Sequence, residues 1–115
     1  MTYVDGFVAA VPTANREAYL ESARRSAELF KEAGALRVVE NWGTDLPVGK
    51  VNSFHTAVMR EDDESVAFSW IVWPSKETRD EAWKKLMEDP RMGQMQMPFD
   101  GKRLIYGGFE TIFES

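Results

Sequence analysis

This chain predicts an α+β fold: one four-stranded antiparallel sheet with two helices on one of its faces. Three observations predict it. Four stretches read as strands and two as amphipathic helices. Their order is strand, helix, strand, then strand, helix, strand. The run SVAFSWIVWP at residues 65–74 is apolar on both alternating sets, with Val66, Phe68, Trp70 and Val72 on one side and Ala67, Ile71 and Trp73 on the other. A strand of that kind needs cover on both faces, so the rest of the chain is organised around it.

Residues 3–11 form the first strand. One parity holds Tyr3, Asp5, Phe7, Ala9 and Val11; the other holds the smaller set Val4, Gly6, Val8 and Ala10, which suits close packing of a helix. Pro12, with no N–H to donate, ends it. Asn15 is the expected N-cap of a helix over residues 16–33. Leu20, Ala23, Ala27 and Phe30 follow its apolar stripe, Tyr19 widens it, and Gly34 closes it in a position that tolerates positive φ. Glu21 and Arg25 are spaced to pair one turn apart. A second strand spans residues 35–43, a Pro- and Gly-containing loop follows to residue 52, and Phe54, Thr56 and Val58 alternate as in a short extended segment. Glu61, Asp62, Asp63 and Glu64 make an acidic turn into the central strand. Ser75 caps a helix over residues 76–88, with Ala82, Trp83, Leu86 and Met87 as its inner face and Asp80–Lys84 and Glu81–Lys85 as outer pairs. Pro90 stops that helix. Met92, Met95 and Met97 fall in an aperiodic segment suited to a flexible cavity lid or a partner surface, or to a loop simply packed against a neighbour. The last strand, residues 103–113, carries Gly107 and Gly108 at its middle, a sign of a bulge or a close approach.

Two βαβ units in this order give the ferredoxin-like βαββαβ arrangement, and right-handed crossovers put both helices on the same side. The 115 residues make one domain, 1–115, large enough for a core without staples. The chain has no cysteine, which removes disulfides, thiolate nucleophiles and thiolate metal sites. The net charge of −5 and the lack of any basic run beyond a pair argue against nucleic-acid binding. No apolar run approaches the ~20 residues of a membrane helix, and the start of the chain lacks a basic leader. A cytoplasmic location is the expectation, with no membrane partner.

Chemistry-bearing motifs are few. The lone His55 has no His or Cys companion for a metal, so no metal site is expected; its neutral-range pKa leaves a proton-carrying role open. There is no G-x-S-x-G elbow, and Gly107-Gly108 precedes no helix, which rules out a phosphate loop or a dinucleotide fingerprint there. Asp5, Glu40 and Glu110 each interrupt an apolar strand. They face solvent, or they point into an enclosed space where burial would raise their pKa. Trp42, Trp70 and Tyr106 fit the same space or serve as plain core. Asp5, Glu40, Trp42, Trp70 and Tyr106 are therefore the candidate cavity-lining, ligand-binding residues; no catalytic residue is assigned.

Three blocks, VDGFVAAVPTANREAYL, FSWIVWPSKETRDEAWKKLMEDPRM and FDGKRLIYGGFE, resemble the YbaA-like family of uncharacterised bacterial proteins (domain of unknown function 1428) across essentially the whole chain. The resemblance implies a dimeric α+β barrel, a fold group with cofactor-free monooxygenases, haem-degrading enzymes, isomerase-like enzymes and non-catalytic members. It brings no catalytic motif. Haem-degrading members ligate iron through a helix histidine, and the helix at residues 76–88 has none. No cofactor is therefore expected.

The expected function is a homodimer that binds a small molecule in the barrel cavity, with cofactor-free oxygenation or isomerisation as the chemistry such a site would support. The alternative is a non-catalytic structural or regulatory interaction protein whose aromatics are interface core. An RNA-binding module shares the strand order but needs basic and aromatic sheet residues in combination. The dimer follows from burial. Two helices cover one sheet face only, and the run at 65–74 is apolar on both. Phe68, Trp70 and Val72 are assigned to the shared face, together with Tyr3, Asp5 and Phe7. Burying a few hundred Å² of apolar surface per subunit contributes on the order of 10 kcal/mol before association costs.

Overall fold

The computed structural model describes residues 1–115. Four strands, β1 (Tyr3–Pro12), β2 (Arg37–Trp42), β3 (Glu64–Trp73) and β4 (Ile105–Glu110), form one antiparallel sheet in the order β2-β3-β1-β4. Two long helices, α1 (Arg16–Glu32) and α3 (Lys76–Glu88), lie on the same face, and two four-residue helical turns, α2 (Phe54–Ala57) and α4 (Pro90–Gly93), sit in the connections. This is the ferredoxin-like order.

The main core is the helix–sheet layer. Leu29 and Phe30 of α1 and Ala82 and Leu86 of α3 close over Ile71 and Trp73 of β3. Ala9, Val11, Tyr19 and Ala67 extend it toward the other end of the sheet. A smaller cluster of Ala10, Val58 and Val66, with Val8 and Leu46 against it, lies on the opposite face. There the connection from β2 to β3 covers only one end of the sheet.

The register corrects one sequence-based assignment. Tyr3 pairs with Trp73, Asp5 with Ile71 and Phe7 with Ser69. Tyr3, Asp5 and Phe7 therefore face the helices, and the small set Val4, Gly6, Val8 and Ala10 takes the open face with Phe68, Trp70 and Val72. Side-chain size misled because the helical layer needs bulk to fill it, whereas small residues were read as room for a helix. Ser53 caps a helical turn at α2, accepting from the Thr56 N–H, where alternation suggested extended chain. Gly107 and Gly108 lie in unbroken register opposite Gly6 and Asp5. The reason for Gly108 is crowding: a Cβ there would lie 2.5 Å from the Tyr3 hydroxyl and 3.0 Å from Arg79 Nη2.

At the helix ends, Ser75 caps α3 as expected, accepting from the Thr78 N–H. Asn15 does not cap α1; its side-chain amide donates to the Pro98 carbonyl at 3.0 Å and ties the start of the helix to the chain before β4. Gly34 follows α1 with φ at +118°, the left-handed conformation that a C′ glycine supplies. The Glu21–Arg25 pair forms. On α3 the pairs are Lys76–Asp80 and Glu81–Lys84, not the expected Asp80–Lys84 and Glu81–Lys85; Asp80 is taken by Lys76 and Arg79. Met87 stands mostly in solvent at the edge of the helix pair.

Candidate functional site

The sheet, α1 and α3 do not close completely. Between them lies a half-open cavity of about 330 Å³. Its floor is Phe7 of β1, Val38 and Glu40 of β2, and Ser69 and Ile71 of β3. Tyr19, Ala23, Ser26 and Phe30 of α1 form one wall and Trp83 and Met87 of α3 the other. Met92, Met95, Gln96, Met97 and Phe99 lie over the top. These positions follow from the two periodicities: alternate strand residues look up, and one helical stripe looks down. The methionine segment fills the gap that α3 leaves once Pro90 ends it. Met92 and Met95 pack on the core, and the Ser26 hydroxyl donates to the Met95 sulfur at 3.2 Å.

The lining is overwhelmingly apolar and includes no Lys, Arg or His. Its one carboxyl is Glu40, which accepts the Tyr19 hydroxyl at 2.5 Å. Burial pushes the Glu40 pKa up, against the opposing pull of the Tyr19 hydrogen bond. Burial, reinforced by the charge and the hydrogen bond of Glu40, pushes the Tyr19 phenol up far enough to keep it protonated in ordinary buffers. Together they form a proton-holding pair at the floor of an apolar space, able to accept or give a hydrogen bond to whatever lies above.

A second carboxylate lies just outside. Asp5 is 3% exposed. Its Oδ2 accepts the indole N–H groups of Trp73 and Trp83, each at 2.9 Å, and its Oδ1 accepts Arg79 Nη2 at 2.8 Å. Arg79 also lies over the Tyr3 ring, 5.3 Å from its centroid. The Asp5 hydrogen bonds hold Trp83, a cavity wall, in place. Every acceptor direction is taken, so this carboxylate positions other groups and is not itself free to bind.

Of the five residues singled out from the sequence, the structure brings one side chain, Glu40, into the cavity. Asp5 is sealed behind Trp83. Trp42 faces the helices but packs on Tyr19, with ring centroids 6.0 Å apart, beneath the Arg16 guanidinium. Trp70 borders the cavity, yet alternation sends its ring to the open face, where it meets Phe68 edge-on at 5.4 Å. Tyr106 lies across Phe7, ring centroids 6.5 Å apart, and is 75% exposed. The sequence reading passed over Tyr19, Ser69, Phe30 and Trp83 as site residues. Tyr19 carried the one usable signal, a hydroxyl in an otherwise apolar helix stripe. His55 is occupied: its Nε2 is 2.9 Å from the Leu46 carbonyl, and its Nδ1 accepts from Arg60 Nε at 2.9 Å. No three His, Asp or Glu side chains come together as a metal site.

The fold resembles a solved structure described as a dimeric ferredoxin-like protein from an uncultured marine organism, with a TM-score of 0.66 over 99% of this chain and 98% of that one. At 9% identity the likeness is one of fold. The chain is 59% identical over 116 residues to the uncharacterised protein YbaA of Escherichia coli K12 and to that of Shigella flexneri, covering 99% of both partners in each comparison. Residues 2–101 match the family described as "Protein of unknown function (DUF1428)", and with that near-complete likeness to YbaA the chain belongs to this family.

Proposed function

We propose that this protein binds a small, largely apolar molecule in the cavity between sheet and helices of each subunit, and that it works as a homodimer joined across the open sheet face. The observation that carries the ligand reading is the cavity of about 330 Å³ with Glu40 and Tyr19 paired at its floor. Small-molecule sites have this form: a concave apolar volume with a few convergent polar groups. Should turnover accompany binding, Glu40 is the acid–base group, since burial moves its pKa toward the range where a carboxyl exchanges protons near neutrality. Cofactor-free isomerisation or oxygenation is the chemistry one such group serves.

The homodimer rests on the open face. Phe68, Ile105 and Phe109 are 42%, 44% and 61% exposed there, and Val4, Val8, Trp70 and Val72 share that face. The subunit is a slab of 38 × 35 × 21 Å, helices on one side and this apolar sheet on the other. A second copy packed sheet to sheet about a two-fold axis covers both patches at once. The structural neighbour, itself described as dimeric, agrees with that assembly.

A thermal-shift screen with small apolar compounds tests the ligand reading. A ligand specific to the native state, present at 100-fold over its Kd, stabilises by about 2.7 kcal/mol. The expected result is a set of hits whose shifts vanish in Ala23→Phe, a substitution that fills the cavity from the wall of α1 while circular dichroism confirms the fold. A screen without hits, or hits that shift the filled variant equally, would refute the reading.

A further inference from the structure

The polar groups of the cavity are few enough to name what fits them. Building on the reading that this cavity is a ligand site, we propose that its ligand is a neutral, largely apolar molecule of one or two rings bearing a hydroxyl group, held by a hydrogen bond from that hydroxyl to Glu40 Oε2.

The charge of the lining excludes anions. Glu40 is the one carboxyl, and no Lys, Arg or His stands opposite it. A carboxylate or phosphate on the ligand would be buried without a countercharge and beside an acid. The hydrogen bonding then asks for a donor. Oε1 of Glu40 takes the Tyr19 hydroxyl, whereas Oε2 receives no hydrogen bond from the chain. No buried side-chain oxygen in the protein lacks a partner, so Oε2 is not sealed away. It is an open acceptor on a residue that lines the cavity.

The count of donors separates a hydroxyl from an ammonium. An ammonium brings three N–H groups. Beyond Oε2 the acceptors on the lining are all neutral, the hydroxyls of Ser22, Ser26 and Ser69 and the Gln96 amide, and no second carboxylate stands within the cavity to take the remaining N–H groups. Donors left unpaired on burial oppose binding. A single hydroxyl leaves none. Phe30, Trp83, Met92 and Met95 supply apolar cover for the rest, and the volume lies at the small end for such pockets.

Naphthol, naphthalene, naphthoate and naphthylmethylamine, all substituted at the α position where substituted, share one apolar body and differ in the polar group. Titration calorimetry at neutral pH compares them. The expected result is naphthol binding about tenfold tighter than naphthalene, the value of one net hydrogen bond at the upper end of the ordinary range, with naphthoate not binding. Glu40→Leu, which removes both carboxyl oxygens, brings naphthol down to the naphthalene level, while Tyr19→Phe, which leaves Oε2 open, keeps the preference. Equal binding of naphthol and naphthalene, or tighter binding of the amine or the acid, overturns the hydroxyl assignment. If that binding is lost in Ala23→Phe, the cavity stands as a ligand site. If none of the four binds, the assignment falls, and the compound screen above decides whether the cavity reading falls with it.

Discussion

Asp5 is a buried carboxylate on which three side chains converge. Two indoles and a guanidinium donate to it inside the helix–sheet layer. Removing one partner of a buried ion pair leaves the other charge stranded. Asp5→Ala should therefore cost about 3 kcal/mol, at the low end for such losses because Arg79 can still turn to Asp80 and water. Urea denaturation measures it; a change under about 1 kcal/mol would mean the indoles and the guanidinium find other acceptors. Glu40 works in the opposite sense. Its folded pKa lies above the ordinary 4.5, so the folded state holds the proton more tightly than the unfolded chain. The stability of the natural protein relative to Glu40→Gln should then be greatest below that value and fall as pH rises from it through the folded pKa. Urea midpoints of both proteins between acid and neutral pH report the difference; a difference that stays flat or rises would contradict it. Both carboxylates stood out in the sequence as charges interrupting apolar strands. What could not be read there was their company. Which side chains meet Asp5 depends on the pairing of Tyr3 with Trp73 and on α3 crossing above, contacts that join residues nearly seventy or more positions apart.

At the scale of elements, local signals served where the cause was local. The bounds of the helix at 76–88 were legible because Ser75 and Pro90 bracket it and its cap bonds within three residues. Ser75→Ala should cost about 1 kcal/mol by thermal or urea unfolding, the usual value of an N-cap. Asn15→Ala should leave α1 intact by circular dichroism, since Asn15 bonds the Pro98 carbonyl and not the helix N-terminus. A loss of helix equal to that in Ser75→Ala would reverse this assignment. The facing of β1 was not legible, since both parities are apolar and only the register with β3 decides between them. The turn at α2 was missed for a related reason: three alternating residues are too few to separate a strand from one helical turn. The methionine segment was recognised as a lid or packed loop without its partner, because no period aims those side chains. In the fold they cap the cavity next to Ser26 of α1. The buried Glu64, read as the end of an acidic turn, opens β3 and takes both Arg103 amino groups, at 2.7 and 2.6 Å. That fork holds its pKa below the usual carboxylate value and ties the approach to β4 to the central strands.

At the scale of the whole molecule, the sheet has two distinct faces. One holds the cavity, Glu40 and Tyr19 under the two helices; the other carries Phe68, Trp70, Ile105 and Phe109, the face proposed above to meet a second copy. The ferredoxin-like order and the two-faced β3 were both evident from sequence, since they follow from pattern and order. The position of the cavity was not. It arises within one subunit from imperfect closure of α1, α3 and the methionine segment, a packing outcome that no periodicity encodes. Ligand binding and dimer formation should therefore separate: Ala23→Phe should lose ligands and keep the dimer. The measurement that tests this division most directly is the molar mass in solution by light scattering at micromolar concentration. The expected mass of the natural protein is about 26 kDa, twice the 13.1 kDa of the chain. Ala23→Phe and the helix-surface change Glu21→Ala should keep that mass, and Trp70→Asp should give monomer or aggregate. A stable, soluble species of 13.1 kDa for the natural protein would contradict the dimer.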